Sequence, residues 1–418
     1  MSNVIIITGL QSGNEGKSRI LDRLSNNAIC IRATNGDTEV HTVVSNGKEI
    51  KLHVLPKAII NPSNTCIIPA GTAIDLDLLY REIVDLKKIG VEITPKNLII
   101  SPMANIIMPY HIDADALFYD SFRDKIDKIK RGIGPCLSDE ANGLALKMYH
   151  LAKYRKTQQF MDAIIPSVKI YNALLKDSSS QYNSYYIAHD FLLKYNNFFS
   201  EFIRDEKRLL FDSLINEKKI VIEGFYQDSF NSASFYNSTA GVLAATGICP
   251  SNNFVYGVAK TYCSHFGSTP FITDDGNEVS KIIRDFGNEY CSTTSIPRRC
   301  GWLDLVQLKS TILSNGITGL CLNGLDTIGK VGKELGYIKV CTSYVDKEDN
   351  SIKYLPVDLE GYHPVYNAFY GGWDTSGCKK YDDLPQNAKD FIEFIEDFVA
   401  IPVKFIGIGP KPVDTILK

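Results

Sequence analysis

The residues best equipped for chemistry stand near the start of the chain, where an apolar run from Val4 to Thr8 leads into Gly9-Leu-Gln-Ser-Gly13-Asn14-Glu15-Gly16-Lys17-Ser18. Such a turn can cradle phosphate. Glycines let backbone N–H groups approach an anion, a following helix offers the positive end of its dipole, and Lys17 supplies a point charge for the outer phosphates. Gly9 and Gly16 enclose six residues, more than the usual phosphate-loop spacing. A glycine-rich strand-to-helix connection has no need of Lys-Ser directly after its last glycine, so these residues point to nucleotide binding. Other polar residues say less by themselves. His41 alone in a strand is more often structural, Asp326 reads as a loop cap, and Arg298 with Arg299 reads as a solvated pair.

The elements that must position the loop are legible as apolar runs separated by helical segments. Strands are expected at Val4 to Thr8, Ala28 to Arg32, Thr65 to Pro69, Asn97 to Ile100, Ile220 to Glu223, Phe254 to Val258, Gly319 to Leu322 and Lys404 to Ile408. This alternation predicts an α/β fold, with a large, mostly parallel central sheet, flanking helices and a P-loop-like nucleotide site. The sequence His41-Thr-Val-Val44, Ser45-Asn-Gly-Lys48, then Glu49 to Leu55 predicts a hairpin around Asn-Gly. Helical periodicity is clear from Asp75 to Lys88, and a long helix is expected over Tyr185 to Glu217. The segment 177–184 reads as a surface loop and 346–351 as an exposed hairpin tip. Neither is long enough to force a domain boundary, and no internal repeat is present.

Composition is that of a cytoplasmic globular protein. The 418 residues include 44% hydrophobic ones, enough to bury a large core. A net charge of -3 gives no global basic field, so nucleic acid is not an expected partner. The ten cysteines are scattered without a Cys-x-x-Cys pair and read as reduced core residues. No cleavable apolar leader and no stretch of about 18 apolar residues is present, so no membrane partner is expected.

Nine collinear segments resemble the adenylosuccinate synthetase family. They are Gln11-Ser-Gly13-Asn14-Glu15-Gly16-Lys17, His41-Thr42, Arg131-Gly-Ile-Gly-Pro135, Asn237-Ser-Thr239-Ala-Gly241, Gly287-Asn-Glu289, Thr293-Thr294, Gly301-Trp-Leu-Asp304, Leu325-Asp326 and Gly409-Pro410. The resemblance spans the chain and implies a single α/β domain over 1–418, usually in a homodimer, acting on small-molecule substrates. It also implies a two-step ligation. A nucleoside triphosphate, normally GTP, phosphorylates the 6-oxygen of IMP with Mg2+, and the aspartate amino group then displaces the phosphate. On this resemblance Gly13, Glu15, Gly16, Lys17 and Ser18 hold the donor phosphates and Asp326 reads the donor base. Lys17, His41 and the residue at 14 serve catalysis. Asn237, Thr239, Tyr226, Thr294 and Arg298 fall at substrate positions, and Asn14 with the Val40 carbonyl falls at the magnesium.

The chain departs from the family pattern where substrates are read. The loop aspartate that serves the family as base is Asn14, and an amide cannot accept a proton at neutral pH as a carboxylate can. Asn14 retains a carbonyl oxygen for a metal or a hydrogen bond. The glycine before the family histidine is Val40. Paired threonines before Arg131 become Lys128 and Ile129, and an intersubunit arginine becomes Gly143. Loss of an arginine contact to phosphate removes roughly 1.5 to 3 kcal/mol. The glutamine of the family's Glu-Gly-Ala-Gln becomes Tyr226, with Gln227 available after a one-residue shift. Ile296 falls where an arginine grips the aspartate carboxylate, a contact no apolar side chain makes. Gly324 replaces a lysine before Asp326, and Gly407 replaces a serine, which leaves ATP open as the donor beside GTP. These changes point to an Mg-dependent ligase or phosphoryl transferase whose acceptor is not standard IMP. The alternatives are a working adenylosuccinate synthetase with compensating residues, a phage-type synthetase acting on deoxyguanylate, and a nucleotide-binding pseudoenzyme.

Overall fold

The computed structural model describes residues 3–36, 40–45, 47–121, 130–176, 181–226, 238–249, 253–265, 271–274, 276, 278–290 and 295–418. The fold is α/β, with a large, mostly parallel sheet flanked by helices. The chain divides into two compact units that interleave in sequence. One comprises Met1–Val4, Ser25–Glu223 and Val242–Ser251, and the other Ile5–Leu24, Gly224–Gly241 and Asn252–Lys418.

In the first unit, the strands Ile29–Arg32, Thr65–Ile68 and Leu98–Ile100 pair in parallel, and Ile220–Tyr226 pairs in parallel with Ile29–Arg32 on its other side. Ile29–Arg32 and Leu98–Ile100 are buried along their whole length, as apolar runs covered on both faces must be. Helix Leu76–Lys88 starts where the Asp75 carboxylate accepts from the amides of Asp77 at 2.9 Å and Leu78 at 3.2 Å. It buries Leu76, Leu79, Ile83 and Leu86 and ends with Lys87 and Lys88 at its negative pole.

The expected hairpin forms from His41–Ser45 and Lys48–Leu52, with His41 opposite Leu52. Its exit is fixed by the buried Glu82 of that helix. The Glu82 carboxylate accepts from the amides of His53 at 2.5 Å, Val54 at 3.2 Å and Leu55 at 2.9 Å.

One long helix over Tyr185 to Glu217 does not form. Helix Ser184–Phe191 runs into a π turn at Leu192–Asn196 and the short Asn197–Phe199, and a separate helix occupies Glu206–Ile215. The break has local causes. The Asn196 side chain donates from Nδ2 to the Leu151 carbonyl and so anchors the π turn to an earlier helix. The Asp205 carboxylate starts a new helix by accepting from the amides of Lys207 at 3.1 Å and Arg208 at 3.2 Å.

In the second unit, five strands follow the order Thr415–Leu417, Val403–Gly407, Gly319–Asn323, Phe254–Lys260, Val4–Gly9, all parallel except the first. A further sheet, not expected from the sequence, joins Tyr262–His265, Arg299–Asp304, Ile338–Val345 and Ser351–Ile352, with His363–Phe369 also pairing against Ile338–Val345. It explains the Gly-Trp-Leu-Asp motif. A side chain on Gly301 would overlap the Thr273 carbonyl, Trp302 is buried, and Asp304 caps helix Leu305–Asn315 by accepting from the amides of Val306 and Gln307, each at 3.0 Å.

Among the described residues the cysteines are free. Most are buried as expected, but Cys249 is exposed. No helix among the described residues is long and apolar enough to cross a membrane.

Candidate active site

Strand Val4–Gly9 delivers the chain into the phosphate loop, and helix Lys17–Leu24 leaves it. Between them Gly13, Asn14 and Gly16 hold φ of 89°, 58° and 92°. Two of these left-handed positions are glycines, and Asn is among the few other residues that tolerate one. Asn14 is therefore a turn residue as well as an exposed amide at the loop's crest. Glu15 folds back inside the loop. Its carboxylate accepts from the amides of Gly13 at 2.7 Å and Gln11 at 3.3 Å and lies 3.5 Å from the Lys17 ammonium. A side chain on Gly9 would come within 2.6 Å of that carboxylate, which accounts for the first glycine. Ser18 is half-buried in the helix's first turn.

The loop carbonyls are tied to protein donors. Arg298 donates from Nη2 to the carbonyls of Ser12 at 3.0 Å and Gly13 at 3.3 Å, and Asn323 donates to the Glu15 carbonyl at 2.6 Å. Gln11 donates to the Tyr262 carbonyl at 3.0 Å and accepts from the Lys260 amide at 2.9 Å. A loop with its carbonyls bonded in this way is held as a fixed turn leading into the helix that begins at Lys17.

Arg298 is buried rather than solvated. Its Nε donates to Ser264 Oγ at 2.7 Å, and Ser264 in turn donates to Glu289 Oε2 at 2.8 Å. Glu289 also receives Lys260 Nζ at 2.6 Å and Tyr262 Oη at 2.7 Å. Burial pushes the Glu289 carboxyl up, but the Lys260 ammonium and the three donors outweigh it and hold it below the ordinary range. His265, stacked on Phe271 and bonded to Ser12 Oγ at 2.9 Å, is pulled down to about 3 by burial and by Arg298, Arg299 and Lys260. It is a neutral imidazole at physiological pH.

Asp326 lies in the first turn of helix Leu325–Leu335, with Lys330 Nζ 3.7 Å from its carboxylate. Gly324, in place of a lysine, takes φ of 80° and packs so closely on Tyr262 that a side chain would come within 2.9 Å of its ring. At Gly407 a side chain would overlap Asn323 Oδ1 and Arg19 Nη1. Arg19 donates from Nη2 to the Gly409 carbonyl at 2.6 Å. Burial draws its guanidinium below the ordinary value, against the opposing carboxylates of Asp326 and Asp414. The two missing family side chains thus coincide with space taken by Tyr262, Asn323 and Arg19.

His41 opens the hairpin of the first unit, directly after half-buried Val40. Its Nε2 is hydrogen-bonded to Glu223 Oε1, and both residues are buried. Glu223 lies on Ile220–Tyr226 opposite Arg32. Gly13, Asn14, Glu15, Gly16, Lys17, Ser18, Thr239, Arg298 and Asp326 belong to the second unit, and Val40 and His41 to the first.

Thr239 begins helix Thr239–Thr246, where Asn315 Oδ1 accepts from its amide at 2.9 Å and its hydroxyl at 3.3 Å. Tyr226 closes its strand; its side chain, like Asn237, Thr294, Gln227, Lys128 and Ile129, lies outside the described residues. The Arg131 and Gly132 amides bond Asp115 at 3.0 and 2.9 Å. Gly143 has φ of 71° and open space around it, and Ile296 is 51% exposed.

Glu223, Glu289, Asn323 and Arg19 did not emerge from the sequence as site residues. Glu223 and Glu289 stand in motif-like segments, Glu-Gly and Gly-Asn-Glu, while Asn323 and Arg19 carry no sequence signal of their own.

Among the described residues no three His, Cys, Asp or Glu side chains gather as a metal cage. A magnesium ion that arrives with a nucleotide takes most of its oxygens from phosphate and water. The Asn14 amide oxygen and the Val40 carbonyl are each a hard donor of the kind such an ion takes.

Fold and loop together define an α/β nucleotide-dependent enzyme. The adenylosuccinate synthetase family model matches residues 6–416, and the chain belongs to this family of ligases that form carbon-nitrogen bonds. It is 36% identical to the adenylosuccinate synthetase of Acetivibrio thermocellus and 34% identical to that of Thermoanaerobacter sp., with 99% of each chain covered in both comparisons. The solved structure of fully ligated adenylosuccinate synthetase from Plasmodium falciparum superposes with a TM-score of 0.89 at 29% identity, covering 100% of both chains. Cyanophage S-2L succinoaminodeoxyadenylate synthetase, bound to dGMP and dATP, shares the fold with a TM-score of 0.59 at 16% identity, covering 100% of this chain and 95% of that one.

Proposed function

We propose that the chain catalyses the adenylosuccinate synthetase reaction, joining the aspartate amine to IMP at the expense of a nucleoside triphosphate. The observation that carries it is the phosphate loop, with Arg298 and Asn323 holding its carbonyls and Lys17 at its end. Identity of 36% over almost the whole length of a named synthetase supports the same acceptor and amine. In this reading Gly13, Glu15, Gly16, Lys17 and Ser18 hold the donor phosphates, Asp326 reads a guanine edge, and Asn14 and Val40 offer oxygens to Mg2+. His41 and Lys17 serve phosphoryl transfer, and Asn237, Thr239, Tyr226 and Thr294 line the substrates. Arg298, which holds the phosphate loop through Ser12 and Gly13, also stands at a substrate position. The whole of 1–418 works as one functional α/β domain, since each compact unit is assembled from separated stretches of chain. The chain forms a homodimer, which light scattering tests.

The purified protein, supplied with GTP, IMP, aspartate and Mg2+, is expected to release phosphate and form adenylosuccinate, and Lys17→Ala to abolish both. ATP in place of GTP reads the donor. A second reading, an acceptor other than IMP, is favoured by exposed Ile296 and by the missing side chain at Gly143. It gains the ground if IMP yields nothing while another lactam nucleotide, dGMP among them, releases phosphate. Nucleotide binding with no product from any acceptor would leave a pseudoenzyme.

A further inference from the structure

We propose that Arg19 is a specificity-determining residue of the donor site, offering its guanidinium to the oxygen and ring nitrogen of a 6-oxopurine base, so that the chain takes GTP in preference to ATP. This role rests on the function proposed above, which sets the donor base beside Asp326.

The strands Val4–Gly9, Phe254–Lys260, Gly319–Asn323 and Val403–Gly407 run parallel within one unit, so their carboxyl ends share an edge of the sheet. Ligands of open α/β sheets lie along that edge. The phosphate loop leaves it at Gly9, Asn323 ties the loop's Glu15 carbonyl at 2.6 Å, and Gly407 ends the strand next to that of Asn323. A donor whose phosphates occupy the loop is expected to extend its base along the edge, toward Asn323, Asp326 and Gly407.

Arg19 reaches these same strand ends. Its Nη2 donates to the Gly409 carbonyl at 2.6 Å, its Nη1 donates to Asn323 Oδ1 at 3.5 Å, and a side chain on Gly407 would come within 2.4 Å of Nη1. A guanidinium carries five N–H donors and accepts nothing. Two are spent on these oxygens, and the carboxylates of Asp326 and Asp414 are near enough to act on its charge. Space that a lysine at 324 and a serine at 407 take in the family pattern is held here by Tyr262, Asn323 and this guanidinium.

Arg19 presents donors and Asp326 presents acceptors. Guanine meets both, with O6 and N7 accepting from Arg19 while N1–H and the 2-amino group donate to Asp326. Adenine sets its 6-amino group against the guanidinium and its bare N1 against the carboxylate, so both contacts turn repulsive. Lys330, the other cation at Asp326, lies 3.7 Å from its carboxylate but is 56% exposed, which leaves it screened by solvent.

Titration calorimetry with nonhydrolysable analogues of GTP, ITP and ATP, each with Mg2+, on the wild type, Arg19→Ala and Arg19→Met tests this. The ITP analogue keeps the 6-oxygen and lacks the 2-amino group, so it isolates the edge assigned to Arg19. The wild type is expected to prefer the GTP and ITP analogues to that of ATP, and both variants to lose about tenfold to a hundredfold of that preference, the scale of one bidentate arginine–guanine contact. Arg19→Met keeps the length of the stem, which guards against a loss of packing in Arg19→Ala. A wild type that binds the ATP analogue as tightly as that of ITP, or variants that both weaken all three donors alike, would overturn the proposal. A preference that shifts as expected, with no adenylosuccinate formed from IMP and aspartate, supports the role of Arg19 and counts against the ligase reading instead.

Discussion

The Asn323 side chain holds the Glu15 carbonyl of the phosphate loop through Nδ2, while its Oδ1 receives Arg19 at 3.5 Å. Gly407 leaves room for both, since any side chain there would overlap the Asn323 oxygen and the Arg19 guanidinium. Restoring the serine that the family pattern places at this position should therefore harm rather than help. Gly407→Ser is expected to displace Asn323, cost about 1 to 3 kcal/mol of stability by overpacking, and weaken triphosphate binding by about tenfold. That loss equals about 1.4 kcal/mol and is within the reach of one charged or polar anchor. Titration calorimetry with a nonhydrolysable donor checks it. Binding as tight as wild type would show that the loop does not depend on Asn323.

At the scale of elements, the Gly-Trp-Leu-Asp strand couples a cap to a buried charge. Asp304 caps helix Leu305–Asn315 and receives Tyr344 Oη at 2.6 Å, yet burial pushes its carboxyl up to about 6. A raised carboxyl means that the folded state binds the proton more tightly than the unfolded state, so stability falls as pH rises from about 4 to about 6 and is level above. The rise is worth roughly 3 kcal/mol. An asparagine side chain at this position would still cap the helix but would carry no charge, so Asp304→Asn should gain on the wild type across that pH window by up to that amount. Denaturant titrations at pH 4, 6 and 8 measure it, and a gap independent of pH would contradict it. The same element shows what a sequence conveys and withholds. The eight expected strands all lie in the parallel arrays because each is an apolar run buried along most of its length. The other sheet was not legible because strands such as His363–Phe369 are largely exposed along their length and lack such a run. The loop and Lys17 were legible because their residue types state their chemistry locally. By residue type alone Arg298 reads as solvated, because its partners, Ser12, Gly13 and Ser264, are brought to it only by tertiary pairing.

For the whole molecule, the size of the chain sets how nucleotide binding will register. Unfolding entropy is about 2.1 cal/mol/K per residue, so for 418 residues one kcal/mol moves a concerted Tm by only about 1 °C. A ligand present at about a hundred times its Kd adds about 2.7 kcal/mol, which predicts a rise of about 3 °C if the chain melts in one step. The loop, Arg298, Asn323 and Asp326 all belong to the unit that contains Asn252–Lys418. If the two units melt apart, the whole gain falls on that unit, and its transition should move about twice as far while the other stays in place. Lys17→Ala should erase the shift in either case, because the outer phosphates lose their point charge. Scanning calorimetry with and without a magnesium-bound, nonhydrolysable triphosphate separates these outcomes. A rise that survives Lys17→Ala would place the nucleotide somewhere other than the amino-terminal loop.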